Sequence, residues 1–196
     1  MGLKEKRNYN FFKRFYIKIN LGCGFNKING FINCDSNKRC NPDRVIDWSK
    51  GKLPFKDNEV NEVCANYFFE KIGDKFFDII KELYRVCKKG ALLNIKFIHP
   101  RNDLFYSNPK NIRPVSVDLF RHFSKKYGSH FENTDKKSLS IVFDLDVDFE
   151  IIDFQYEIEL DFQKTLEENN PGQIEFLSRR FLNVIREVNV KMVVIK

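Results

Sequence analysis

The apolar run Tyr16 to Leu21 ends in Gly22-Cys23-Gly24 and reads as a buried strand entering a tight turn. A second short run, Phe31–Cys34, ends at Asp35; a third, Arg44–Ile46, ends at Asp47; a fourth, Val60–Ala65, ends at Asn66. Over 73–87 the period changes. Phe76, Ile80, Leu83 and Cys87 fall on one face of a helix, and Lys88-Lys89-Gly90 supplies a basic last turn with a glycine stop. Ala91–Ile98 is a fifth buried strand. Strands alternating with helical spacing predict an α/β chain with a mainly parallel sheet.

The pattern then switches to period two. Phe143, Leu145, Val147 and Phe149 alternate with Asp144, Asp146, Asp148 and Glu150, which predicts a half-exposed strand. The phase flips at Ile151-Ile152, a bulge or break, and alternation resumes from Phe154 to Leu160. Residues 174–187 have helical spacing, and Val188–Ile195 closes as a final strand. Two such strands fit an antiparallel edge on the parallel sheet.

Composition narrows the class. A chain of 196 residues with 42% hydrophobic positions suits a single domain with a sizeable core. No apolar run approaches the ~20 residues that span a bilayer, and no signal-peptide core follows the start, so a cytoplasmic protein is expected. Five cysteines without a C-x-x-C pair suggest neither a disulfide framework nor a zinc site. The net charge of +7 favours acidic partners, but it is unevenly spread. A basic leader over 1–14, interleaved with Phe11 and Phe12, contrasts with residues 141–170, which carry ten acids against Lys164.

Candidate chemistry gathers at the strand ends. Glycines after the first strand let backbone approach a ligand closely, and a helix following them would offer free N–H groups. Asp35, 11 residues beyond Gly24, can accept hydrogen bonds from two ribose hydroxyls, although a strand-end Asp also serves as a cap. Asp47 can receive an adenine amino group while Trp48 packs on the ring. Leu53-Pro54-Phe55 with Asp57-Asn58, and Asn66 after the next strand, complete the series.

In this order the segments resemble the class I S-adenosylmethionine-dependent methyltransferases, and most closely the small methyltransferase type 11 branch. That branch reads L-N-L-G-C-G, N-x-D, D-L, L-P-F-x-D-N-S-x-D, L-E-H-I and R-V-L-K-P-G-G. The counterparts here are Ile19–Gly24, Asn33–Asp35, Asp47-Trp48, Leu53–Asn61, Phe69–Ile72 and Arg85–Ala91, so the likeness covers about residues 17–98. The resemblance implies a Rossmann-like, doubly wound, mainly parallel seven-stranded sheet closed by an antiparallel C-terminal pair. It implies one domain over 1–196, with residues 99–140 as an acceptor-side cap. S-adenosyl-L-methionine would be the cofactor, bound at the carboxyl ends of the strands. Asn20, Gly22, Cys23 and Gly24 would face its amino-acid part, Asp35 its ribose, Asp47 and Trp48 its adenine, and Asn66 its sulfonium, under a roof of Phe69-Glu70.

The chain also departs from the pattern. Lys71 replaces the His of L-E-H-I, and Asn61 replaces an Asp. Asn108 to Ser116 resembles the branch's D-P-T-H-x-R-P-F-T segment, with Asn111 in place of its His. His99, after the fifth strand, is then the candidate base, or else a strand-end histidine bonded to backbone. His122 and His130 have no constellation around them. Asn111 and Arg113 are candidate acceptor contacts, Arg113 for an acidic or phosphorylated group.

Four functions are weighed. The first is methyl transfer to an oxygen of a sugar or other small molecule; Phe176–Lys196 resembles the tail of methyltransferases linked to surface-glycan synthesis, which favours a glycan or small-molecule acceptor. A nucleic-acid methyltransferase stays open through the charge, but Asn66 is followed by Tyr67-Phe68 rather than by the prolines of an N-P-P-Y motif. A non-catalytic module on the same fold is the third. A nicotinamide dehydrogenase is disfavoured, since the first turn lacks G-x-G-x-x-G.

Overall fold

The computed structural model describes residues 16–131, 134, 141–163 and 171–196. The basic leader lies outside them, as do residues 132, 133 and 135–140 of the expected cap.

Seven strands form one sheet: β1 (Ile17–Leu21), β2 (Ile32–Asp35), β3 (Arg44–Val45), β4 (Val60–Asn66), β5 (Cys87–Ile98), β6 (Phe149–Ile158) and β7 (Ile185–Val194). Their order is β3-β2-β1-β4-β5-β7-β6. The first five are parallel, and β7 runs antiparallel to both β5 and β6. This is the expected mainly parallel sheet with an antiparallel edge pair. Helix α1 (Phe76–Val86) connects β4 to β5 and buries Phe76, Ile79, Ile80, Leu83 and Val86, the apolar stripe that its spacing predicts. Helices α2 (Asp103–Ser107), α3 (Val117–Arg121), α4 (Lys125–Gly128), α5 (Ile141–Leu145), α6 (Leu160–Gln163) and α7 (Pro171–Ser178) follow.

The two sheet faces differ. Ile19, Leu21, Val63, Ala65, Leu93, Ile95, Phe97, Val188, Val190 and Met192 lie in the hydrophobic core. Phe120 of α3 packs on Phe97 there, ring centroids 5.9 Å apart. The alternate residues, Lys18, Glu62, Asn94, Lys96, Asn189 and Lys191, are polar and partly exposed. They are joined across strands: Lys18 to Glu62 at 2.8 Å, Asn94 Nδ2 to Glu62 Oε1 at 3.3 Å, and Lys96 to Glu157 at 3.3 Å. Strands wet on one side therefore read as alternating rather than uniformly apolar.

Several expectations are corrected. No helix follows the first glycines; residues 22–31 cross from β1 to β2 as turns. Helix α1 ends without its glycine stop, because Cys87 is already extended and begins β5. Gly90, at φ +77°, instead lies where the register against β4 shifts, between the pairs Val60↔Cys87 and Glu62↔Leu92. The strand expected over 143–149 is helix α5, then a turn through Asp146 at φ +50°, and β6 starts only at Phe149. The buried residues are Val142, Val147 and Phe149, and Asp148 accepts from the Lys125 N–H at the start of α4. Asp146 and Asp148 thus serve a turn and a helix start, not an outward sheet face. The bulge expected at Ile151-Ile152 is present, between Ile151 and Asp153. Helix α7 stops at Ser178, short of the expected 187; Asn183, at φ +56°, exchanges two 2.8 Å hydrogen bonds with Asp103 and turns the chain into β7.

The expected cap is partly core. Val115, Val117, Phe120 and Phe123 are buried in the main cluster, and Asn102 caps α2 while donating to Glu159 and the Ile185 carbonyl.

Candidate functional site

At the end of β1 the chain turns through Gly22, at φ +63°. A Cβ there would lie 2.8 Å from Phe68 Cδ2, so this backbone rests directly on an aromatic face. Phe68 in turn meets Trp48 edge-on at 4.8 Å and Phe69 at 5.2 Å. Gly24, at φ +50°, has open space where a Cβ would stand. Its N–H donates to Asp35 Oδ2 at 2.8 Å, and Asp35 Oδ1 accepts from the Asn37 N–H at 2.8 Å. The carboxylate at the end of β2 therefore braces both the glycine turn and its own loop, with lone pairs left for a ligand.

A buried amide network holds this loop where a helix was expected. Asn33 Oδ1 accepts from Ile28 N–H and Asn20 Nδ2, while its Nδ2 donates to the Ile28 and Phe31 carbonyls and to Asp43. Donation from Asn33, first by its backbone N–H and then by its side chain, holds the Asp43 carboxyl below the usual range.

These elements enclose a cleft of about 660 Å³ beside the carboxyl ends of β1, β2 and β4. Its lining comes from the turns after β1, β2 and β3, with Gly22, Gly24, Asp35 and Trp48, and from the segment after β4, with Tyr67, Phe68 and residues 71–75, joined by Lys110. Glycine backbone, a strand-end carboxylate and a tryptophan meeting in one concave space is the arrangement expected of a nucleotide-like ligand site.

No protein-family model matches the chain, and neither does any curated protein. Solved structures do. A SAM-dependent methyltransferase from Archaeoglobus fulgidus aligns with TM-score 0.59 at 18% identity, over 93% of this chain and 88% of that one. A putative methyltransferase from Haloferax volcanii, crystallised with the Trm112 methyltransferase activator, aligns with TM-score 0.54 at 14% identity, over 93% and 83%. The chain has the class I SAM-methyltransferase fold. The [4+2]-cyclase SpnF also shares it, with TM-score 0.51 at 10% identity over 91% and 75%, so the fold by itself does not fix a reaction.

On this methyltransferase fold, the residues singled out from sequence divide. Gly22, Gly24, Asp35 and Trp48 meet in the cleft. Asn20, Cys23 and Asp47 stand outside its lining. Asn20 is buried, donating to Asn33 and to the Asn26 carbonyl; Cys23 is buried and its N–H donates to the Cys34 carbonyl. Asp47 accepts from the Ser49 N–H and hydroxyl and caps the turn that presents Trp48. Asn66 is exposed and opens instead onto a small polar hollow with Asn94, Lys96 and Asn189, because side chains alternate along β4. Arg113 stacks 4.5 Å over Phe76 and donates to the Ile72 and Gly73 carbonyls, and Asn111 donates to the Phe105 carbonyl. Both hold the loops behind the cleft rather than facing it.

Tyr67 was missed by the sequence reading. It sits at φ +52° immediately after β4, a costly conformation for a non-glycine residue. Its N–H donates to the Lys96 carbonyl at 2.7 Å and its hydroxyl to Glu187, which is paired with Lys96. Burial, then hydrogen bonding to Glu187, pushes the phenol up to about 12, so it is a neutral donor at neutral pH. The detectable signal was an aromatic directly after a strand end.

His99 lies in a separate cleft of about 680 Å³, with Ser116, Arg121, Tyr156 and Glu175. Its Nδ1 accepts from the Arg101 N–H at 3.3 Å and its own N–H donates to the Arg186 carbonyl at 3.0 Å, the backbone-bonded alternative. Burial, with a smaller contribution from Arg101, lowers the imidazole from 6.5 to about 4. A histidine so placed is a weak base, and it is not among the residues that line the glycine cleft. Because its folded value is depressed, the unfolded chain takes up a proton first as pH falls. The stability present above pH 6.5 should therefore decline between about 6.5 and 4. Urea titrations across this range should show His99→Gln flattening the decline, by about 1 kcal/mol after allowance for partial exposure. Parallel pH profiles for variant and parent would refute the assignment.

Proposed function

We propose that this chain is an S-adenosylmethionine-dependent methyltransferase acting on an oxygen of a sugar or other small molecule. The observation that carries this is the meeting of Gly22, Gly24, Asp35 and Trp48 in one cleft at the strand ends. The open position at Gly24 gives the cofactor's amino-acid part room against backbone. The lone pairs of Asp35 suit two ribose hydroxyls, and the half-buried Trp48 offers a wall for adenine. Asn20, Cys23 and Asp47 then act one layer behind, holding the turns that make the contacts. The bound cofactor supplies an electrophilic methyl group, so the protein's part is to align the acceptor with it and exclude water. Arg113 contributes from behind, through the Ile72 and Gly73 carbonyls that it holds at the cleft, while His99 lines the other cleft.

The test is titration calorimetry with S-adenosylhomocysteine. Measurable binding is expected, and Asp35→Ala should weaken it by about 1–3 kcal/mol, through loss of the charged acceptor and release of the Gly24 N–H. Asp35→Asn should retain part of that loss. Equal affinity in the alanine variant would remove Asp35 from the site, and absence of binding by the parent would remove the methyltransferase reading.

A further inference from the structure

The glycine cleft carries charge in its lining that the cofactor contacts above leave unused. Lys71, Lys75 and Lys110 border it together with Asp74. Lys75 pairs with Asp78 at 3.2 Å. Lys71, Lys110 and Asp74 are exposed. Asp35 and Asp74 are the carboxylates of the same lining, and among the described residues Lys71 and Lys110 are its two ammonium groups that make no ion pair. A carboxylate is the simplest group that both could hold.

The same wall has little to offer as a base. Among the described residues lining the cleft none is histidine. Tyr67 is held neutral, and lysine ammonium groups give protons rather than take them. Asp35 is braced by two backbone N–H groups, and its remaining lone pairs are the ones assigned to the ribose. Asp74 is open to solvent, where a carboxylate is a poor base towards an alcohol. An acceptor that arrives already deprotonated needs none of them.

Building on the methyltransferase reading, we propose that the acceptor is a small carboxylic acid, held as its carboxylate by Lys71 and Lys110 and methylated on that carboxylate oxygen. A lone pair of the carboxylate oxygen forms the new C–O bond, and the S–C bond breaks with its electron pair staying on sulfur. The products are a neutral methyl ester and S-adenosylhomocysteine, and no proton moves. Esterification removes the acceptor's charge, so the lysines release the product more readily than they bind the substrate.

The experiment titrates acids into the protein saturated with S-adenosylhomocysteine. The probes are acetate, benzoate and glucuronate, each against its neutral partner (acetamide, benzamide, glucose), with inorganic phosphate alongside. At least one acid should bind about tenfold tighter than its neutral partner, and Lys71→Met/Lys110→Met should abolish that preference while S-adenosylhomocysteine affinity stays within about twofold. With methyl-labelled cofactor, the acid that binds should gain label that mild alkali releases as methanol. Equal binding of acids and neutral partners, a preference for phosphate, or alkali-stable label would each overturn the proposal. So would a parallel loss of S-adenosylhomocysteine affinity in the double variant, which would assign the lysines to the cofactor. If the parent fails to bind S-adenosylhomocysteine at all, it is the methyltransferase reading that falls.

Discussion

Gly22→Ala should destabilise the protein by about 2–5 kcal/mol. Two costs combine. A left-handed backbone with a side chain costs about 1–2 kcal/mol. The new methyl would also lie 2.8 Å from Phe68 Cδ2, and forcing a methyl into a packed site costs about 1–3 kcal/mol more. Phe68 cannot retreat, because Trp48 and Phe69 abut it on other sides. Gly24→Ala is the internal control: its backbone is also left-handed, but nothing lies within 4 Å of the added methyl, so only the first cost applies. Urea denaturation of the two variants should separate them by at least about 1 kcal/mol. Equal losses would mean that Phe68 yields and that the close approach at Gly22 is not tight.

Asn33→Ala should cost about 2–5 kcal/mol and should lower S-adenosylhomocysteine affinity as well. Asn33 makes five side-chain hydrogen bonds, and its removal takes the acceptor from Ile28 N–H, the side-chain donor from the Phe31 carbonyl, and one of two donors from the Ile28 carbonyl, which keeps the Phe31 N–H, in a loop with no helix to absorb them. Each stranded buried group costs about 1–3 kcal/mol, and neighbours in one network do not add fully. Affinity falls because the same loop carries Gly24. Lys27→Ala, which removes only an exposed 3.5 Å pair with Asp43, should stay within about 0.5 kcal/mol of the parent. Thermal and chemical denaturation, with calorimetry for the ligand, check both statements. An Asn33→Ala variant as stable as the Lys27→Ala variant would show that the loop is held by something else.

The parts of this molecule that the sequence disclosed are those where burial dictates residue type. The parallel strands keep apolar residues on the core face and α1 carries a clean stripe, so their existence was readable, although β5 begins at Cys87 rather than at Ala91. The glycines and Asp35 were readable because a close backbone approach and a strand-end carboxylate each admit few residue types. Where polar side chains do several jobs, the reading failed. The aspartates at 144, 146 and 148 mimic the outer face of a strand, yet Asp148 caps α4 and Asp146 makes a turn. Asn66 was one residue from the cleft, and the alternation of β4 turned it away and left the next residue, Tyr67, facing in. Lys71 was legible only as a departure from a family pattern, and Lys110 was not singled out; that both line one cleft depends on the loop at 108–113 folding over Glu70, whose carbonyl accepts from both Ile112 and Arg113. His99 and Arg113 are candidates by side-chain chemistry, and in the fold both engage backbone groups.

The order of the strands has a kinetic consequence. Strand β6 pairs with β7 alone, and β7 lies between β5 and β6 although it follows both in the chain. While the chain is being made, β6 can rest on Tyr84 and Phe123 but has no strand among the described residues to pair with until β7 appears, and β5 presents an open edge over the same interval. Joining β5 to β7 closes a loop of nearly the whole second half of the sequence, which slows folding. Refolding should therefore pass through a stage in which the nucleotide-side strands β1–β5 have assembled and the acidic, aromatic-rich β6 is still unpaired. That stage is the one most exposed to misassociation with other chains.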